Sequence, residues 1–235
     1  MLVAAAVCPC PPLLVPEVAA GAADELDALR AACTDALGVL AAARPDLLVV
    51  VGPAEQAGRG PHPQGTRGGF GRFGVDVGVR LGTGEPGERE LPPSLAVAAW
   101  LLERTGWADA PIEGLGVGEP LETARCLDVG REIAARAARV GMLVMGDASA
   151  CRTLKAPGYL DERAAPFDAE AARALGAADL TAIKNLDAEL AYELKAGGRA
   201  PWQVLAGAAE NADLAGALLY DDAPYGVGYL VAAWS

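Results

Sequence analysis

Three short runs of unbroken apolar residues, each cut off by proline or glycine, constrain this chain most. Residues 2–7, 47–51 and 142–145 are apolar at every position. A strand with one wet face alternates apolar and polar residues, whereas a strand apolar throughout is buried on both faces. None of the runs approaches the ~18 residues of a membrane-spanning helix. They end at Cys8-Pro9-Cys10-Pro11-Pro12, at Gly52-Pro53 and at Gly146-Asp147. Proline there removes ladder donors, and glycine lets the chain turn. A sheet buried on both faces needs helices on both sides of it.

Helices of that kind are legible between the runs. Residues 18–43 are rich in Ala and Leu, with acidic residues early and Arg44 after them, as in a long helix. Pro92 or Pro93 opens a second helix that runs to residue 104. Residues 121–139 form a third, and residues 166–212 form several pieces punctuated by Gly176, Asp187 and Gly197-Gly198. Residues 112–117 read as a short strand, and residues 217–219 and 228–233 as two more. Val75, Val77 and Val79 alternate with polar positions, as in a half-exposed strand. Residues 55–72, full of Gly, Arg and Pro, read as a long loop. Strands alternating with helices predict a three-layer α/β/α fold, and the closing pair of strands predicts a mixed central sheet. No repeat or linker divides residues 1–235, so one domain is expected.

Composition narrows the partners. The net charge is −12, which argues against nucleic acid and anionic membrane, since both attract Lys and Arg. The one dense basic cluster is Arg59, Arg67 and Arg72, in the long loop, and it reads as a solvated face. Five cysteines are an odd number and the first residues lack a basic flank. The chain therefore reads as a cytoplasmic protein with reduced thiols. Trp100, Trp107, Trp202 and Trp234 read as packing residues.

Four segments together resemble a known family. The stretch Pro9-Cys10-Pro11-Pro12-Leu13-Leu14-Val15-Pro16-Glu17 is similar to the opening "PHPP-L-VPE" pattern of the iron-binding chain of class III extradiol ring-cleavage dioxygenases. Residues 49–54, ending in Gly52-Pro53-Ala54, resemble that family's second strand and its "SPH". Gly146-Asp147-Ala148-Ser149-Ala150 resembles its "GDLSH". Pro224-Tyr225-Gly226-Val227-Gly228-Tyr229 resembles its closing "PFGVGY". The resemblance implies the extradiol dioxygenase fold, whose members are commonly oligomeric. It also implies an Fe(II) held by the histidines of the first two motifs and by a later glutamate, with the third motif's histidine as acid/base.

This sequence departs from the pattern at the positions that carry the chemistry. The matching residues are Cys10, Ala54 and Ala150, and the glutamate position falls near residues 196–198, with Glu193 the nearest carboxylate. Alanine has no donor atom. Histidine is the usual base near neutral pH, and the one histidine here is His62. The expectation is therefore a divergent member, a pseudoenzyme without the iron site. Its cleft would bind a small molecule, or the protein would serve as a scaffold or regulator. No cofactor is expected. Residues expected around the cleft are Cys10, Glu17, Ala54, His62, Asp147, Ser149, Arg152, Lys155 and Tyr225. A second reading is an enzyme with another divalent metal on Cys10, His62 and Asp147. A third is one chain of a hetero-oligomer whose protein partner supplies catalytic groups.

Overall fold

A computed structural model describes residues 1–85 and 87–235. The apolar runs become β1 (Leu2–Cys8), β2 (Leu47–Pro53) and β7 (Val140–Met145), and β6 (Ile112–Val117) joins them. Between them lie α1 (Pro16–Ala19), α2 (Asp27–Ala42), β3 (Gly60–His62), β4 (Arg67–Gly69), β5 (Gly78–Arg80), α3 (Pro93–Arg104) and α4 (Thr123–Ala134). After β7 come α5 (Ala164–Gly176), α6 (Leu180–Lys184), α7 (Ala188–Glu193), α8 (Arg199–Ala208), β8 (Gly216–Asp222) and β9 (Tyr229–Trp234).

Seven strands form one sheet in the order β3-β6-β2-β7-β1-β9-β8. The inner four, β6, β2, β7 and β1, are parallel. The outer strands β3, β9 and β8 run antiparallel to their neighbours. Strands β4 and β5 form a separate ribbon. Successive residues of the inner strands point to opposite faces, and the two cores follow that alternation. Ala4, Ala6, Leu48, Val50 and Leu143 face the layer of α2 and α3. Ala5, Val7, Val49, Val51 and Val144 face the layer of α5 to α8, which also takes in Cys126 and Ile133 of α4. Both sides of β1, β2 and β7 are thus almost wholly dry, as unbroken apolar runs require, whereas β6 leaves Glu113 and Leu115 partly exposed.

Several expected elements are redrawn. The helix expected over residues 18–43 is broken: α1 stops at Ala19, a 3-10 segment spans Ala20–Leu26, and only then does α2 begin. Ala20 has a positive φ of 50°, which no α-helix accommodates. The helix expected over 121–139 ends at Ala134. The long loop holds two short strands, β3 and β4, and of the half-exposed strand only Gly78–Arg80 pairs. Trp202 and Trp234 are fully buried, and Trp234 donates its indole N–H to the Leu175 carbonyl at 2.7 Å. Trp100 and Trp107 are half-buried.

The chain path opens a crevice at one edge of the sheet. From β1 the chain returns through α2 to β2, two places away, and from β2 through α3 to β6. From β6 it crosses back through α4 to β7, on the opposite face. Beyond their carboxyl ends, β6 and its neighbour β2 therefore send the chain to different sides. Ligands of open α/β sheets collect in such crevices.

Candidate functional site

A cleft of about 500 Å³ lies at the carboxyl ends of the parallel strands. Cys10 reaches it from the turn after β1, Pro53, Ala54 and Glu55 from the end of β2, and Glu119 and Pro120 from the turn after β6. Gly197, just before α8, and Tyr192 of α7 complete one wall. Ser94 at the start of α3 also borders it, its hydroxyl donating to the Pro53 carbonyl at 2.7 Å. Three positions singled out by the motif pattern, Cys10, Ala54 and Gly197 of the 196–198 segment, thus border one space.

Three of the four motif segments are physically joined, with the 196–198 segment beside them. The Cys10 N–H donates to Asp147 Oδ1 at 2.7 Å. The Gly146 N–H donates to the Cys8 carbonyl at 2.9 Å, and the Gly198 N–H to the Asp147 carbonyl at 2.8 Å. The Ala148 N–H donates to the Gly228 carbonyl and the Gly228 N–H to the Ser149 carbonyl, each at 2.8 Å. Gly146 has no room for a side chain, because a Cβ there would run into Gly198.

Asp147 anchors this junction behind Cys10. Burial of its carboxyl lifts its pKa to about 6, against the lowering pull of the Cys10 N–H. Burial also pushes the Cys10 thiol well above its ordinary value, and the Asp147 charge adds to the rise. A thiol so placed stays protonated near neutral pH and is a poor nucleophile and a poor metal ligand.

Ser149 and Arg152 are not free to meet a ligand. The Ser149 N–H and hydroxyl both donate to Asp168 of α5, at 2.8 Å each. Arg152 Nη1 donates to the same carboxylate at 3.0 Å. Asp168 is 1% exposed, and a Cβ on Gly228 would lie 2.5 Å from its Oδ2. Sequence reading missed Asp168, whose one signal is a carboxylate on the inner face of an apolar helix. Ala150 is buried beside this network, with its N–H on the Leu194 carbonyl, and does not border the cleft.

The remaining expectations are corrected. His62 does not swing on a loop: it lies in β3, 1% exposed, with Nε2 2.8 Å from the Gly58 carbonyl. It borders a separate depression with Pro61 and Arg89. Glu17 is exposed in the first turn of α1, away from the cleft. The Tyr225 hydroxyl donates to Glu25 at 2.8 Å on the surface. Lys155 is exposed outside the cleft, and Glu193 pairs with Arg163 at 2.7 Å. Arg59 is exposed in the loop, as read, and is also turned toward the cleft. It borders the cleft and lies so close over Gly118 that a Cβ there would be 2.6 Å from its Nε.

The donor set does not fit the Fe(II) that the resemblance implies. The three gathered positions offer one protonated thiol, one methyl group and one glycine. Two imidazoles and a carboxylate are what a non-haem ferrous site uses. The alternative set of Cys10, His62 and Asp147 is not assembled either. Among the described residues no group of three or more His, Cys, Asp or Glu is disposed to hold a metal ion. No helix among them is long and apolar enough to cross a membrane.

No family model matches the chain, and no curated protein matches it. Among solved structures it is similar to the crystal structure of uncharacterized protein JW3007 from Escherichia coli K12. The identity is 14%, the TM-score 0.55, and the match covers 99% of each chain. At that identity the likeness speaks for the fold alone, and what this chain shares along its length is a three-layer α/β/α architecture on a mixed sheet.

Proposed function

We propose that this chain is a divergent relative of the iron-binding chain of class III extradiol dioxygenases, one that has lost the iron site and ring cleavage and keeps the cleft for a small molecule. One observation carries the reading: Cys10, Ala54 and Gly197, far apart in sequence, border the same cleft. Cys10 and Ala54 stand where the resemblance expects two histidines, and Gly197 lies in the 196–198 segment near which it expects a glutamate. The segments of Cys10 and Gly197 remain joined through Asp147, whose carboxylate accepts from the Cys10 N–H and whose carbonyl accepts from the Gly198 N–H. A framework that survives without its ligands suits a cleft retained for binding, where shape matters and redox chemistry does not.

The lining supports a ligand of mixed character. Pro53, Ala54 and Pro120 are apolar, while Arg59, Glu55 and Glu119 bring charge to the same walls. Tyr192, 65% exposed, offers an aromatic face. Small-molecule sites combine such apolar walls with a few polar groups.

The test is elemental analysis of untagged protein after anaerobic incubation with Fe(II), with a catechol ring-opening assay on the same sample. Metal far below one equivalent and no ring-opened product are expected. Binding of catechol without turnover, lost in Ala54→Trp, completes the expectation. Near-stoichiometric iron with ring-opened product would overturn the reading.

A further inference from the structure

The ribbon of β4 and β5 carries a charge arrangement that the cleft does not use. Its register sets Arg67 directly opposite Arg80. Backbone bonds on either side run from Leu81 N–H to the Thr66 carbonyl (2.9 Å) and from Phe70 N–H to the Val77 carbonyl (3.0 Å). Hydrogen-bonded pairs alternate with non-hydrogen-bonded ones along an antiparallel ribbon. Arg67 and Arg80 are therefore a non-hydrogen-bonded pair, the kind whose side chains stand closer. Their own backbones agree. The Arg80 N–H turns away to Glu103 Oε1 at 2.7 Å, and the Arg67 carbonyl accepts from Leu91 N–H at 2.8 Å.

Alternation sends both arginines to one face of the ribbon. Gly68 and Val79 take the other face, where Val79 is buried and Gly68 packs on Leu91. The next pair on the arginine face is Gly69 and Gly78, and a side chain at Gly78 would meet only open space. Two like charges directly opposite destabilise a ribbon. Yet among the described residues neither guanidinium takes part in an ion pair. Both border a depression of about 690 Å³, with Leu102, Trp107 and Ile112 as its apolar part. The Trp107 indole is held in place by its N–H on the Ala110 carbonyl at 3.1 Å.

The geometry points to an anion site in which Arg67 and Arg80 clamp the doubly charged oxyanion of a soluble phosphate monoester. The ester's apolar body rests on the half-buried Trp107 at the rim of the same depression. A dianion neutralises both guanidinium groups at once, and guanidinium forks match phosphate oxygens. Glu103 competes weakly, since one of its oxygens already accepts the Arg80 N–H. The overall negative charge disfavours an anionic membrane as the source of the phosphate. The site shares no lining residue with the cleft, so it stands or falls independently of the reading above.

The test is calorimetric titration of the full chain with phenyl phosphate and with inorganic phosphate, at constant ionic strength. The pH is kept about two units above the phosphate's second pKa of about 6, where it is a dianion. Saturable binding is expected, with phenyl phosphate the tighter ligand. Arg67→Gln and Arg80→Gln should each weaken it by about tenfold or more, because each removes a charge-assisted bidentate contact. Arg80→Lys should recover part of the loss. Arg125→Gln, which removes an arginine paired with Glu132 on α4, should change nothing. Both clamp residues are exposed, and circular dichroism melts verify that the variants fold. The assignment is overturned by absent saturation in the native chain, by equal weakening in R125Q, or by equal affinity for the two phosphates. Arginine-dependent binding to phosphatidylcholine vesicles doped with phosphatidic acid, without binding of phenyl phosphate, would also overturn it.

Discussion

Asp147 shows what one side chain contributes at the junction of the motif segments. Its carboxylate fixes the Cys10 backbone, and its main-chain carbonyl fixes Gly198. Burial holds its pKa at about 6, above the ordinary 3.8. For an acid raised on folding, the native state binds more protons than the unfolded chain between those two values. The stabilising contribution is complete below pH ~4 and is lost as the pH rises through ~6. The loss amounts to at most about 3 kcal/mol. Asp147→Asn keeps an acceptor for the Cys10 N–H and removes the charge. Urea unfolding at pH ~8 should find the variant more stable, and its stability should vary less between pH ~4 and ~6. Superimposable pH profiles for the two proteins would refute this account.

Between elements, α4 and α8 approach each other closely. A Cβ on Gly130 would run into the Val204 carbonyl, and one on Gly207 into Leu127. Each helix therefore presents a glycine to the backbone of the other. Helix-interior glycine costs roughly 1 kcal/mol against alanine in propensity, so an exposed glycine would gain from substitution. Here the sign reverses, because overpacking costs about 1–3 kcal/mol. Gly207→Ala should lower stability by that amount, and a thermal melt with an unchanged or higher midpoint would refute it. The two helices themselves are legible from periodicity. Their contact is not, since an isolated glycine in a helical pattern gives no hint of which partner it meets. The break before α2 was likewise hidden, because Ala20 is a good helix former held at positive φ by its surroundings.

Across the whole molecule, the charge of −12 is spread over a chain with only 19 basic residues against 31 acidic ones. Self-repulsion of that size destabilises the compact state and is screened by salt. Raising NaCl from about 0.02 M to about 0.2 M should lift the melting temperature by a few degrees. A midpoint that falls with added salt would mean that the surface ion pairs, such as those of Arg131 and Arg173, outweigh the net repulsion.

The sequence by itself determined the layered architecture. Unbroken apolar runs mean strands dry on both faces, and that demand is local enough to read residue by residue. The strand ends at Cys10 and Ala54 were legible as loops that could share a cleft, and the fold brings Gly197 beside them. Only the tertiary structure decided which polar groups are spent. Asp168 takes Ser149 and Arg152 from the segment after β7, and His62 is locked into an edge strand. Arg59 comes to the cleft, while Arg67 and Arg80 are set opposite each other, without an ion-pair partner among the described residues. Hydrogen bonds and charges act between groups that the chain brings together from far apart, and no local pattern records which of them will meet.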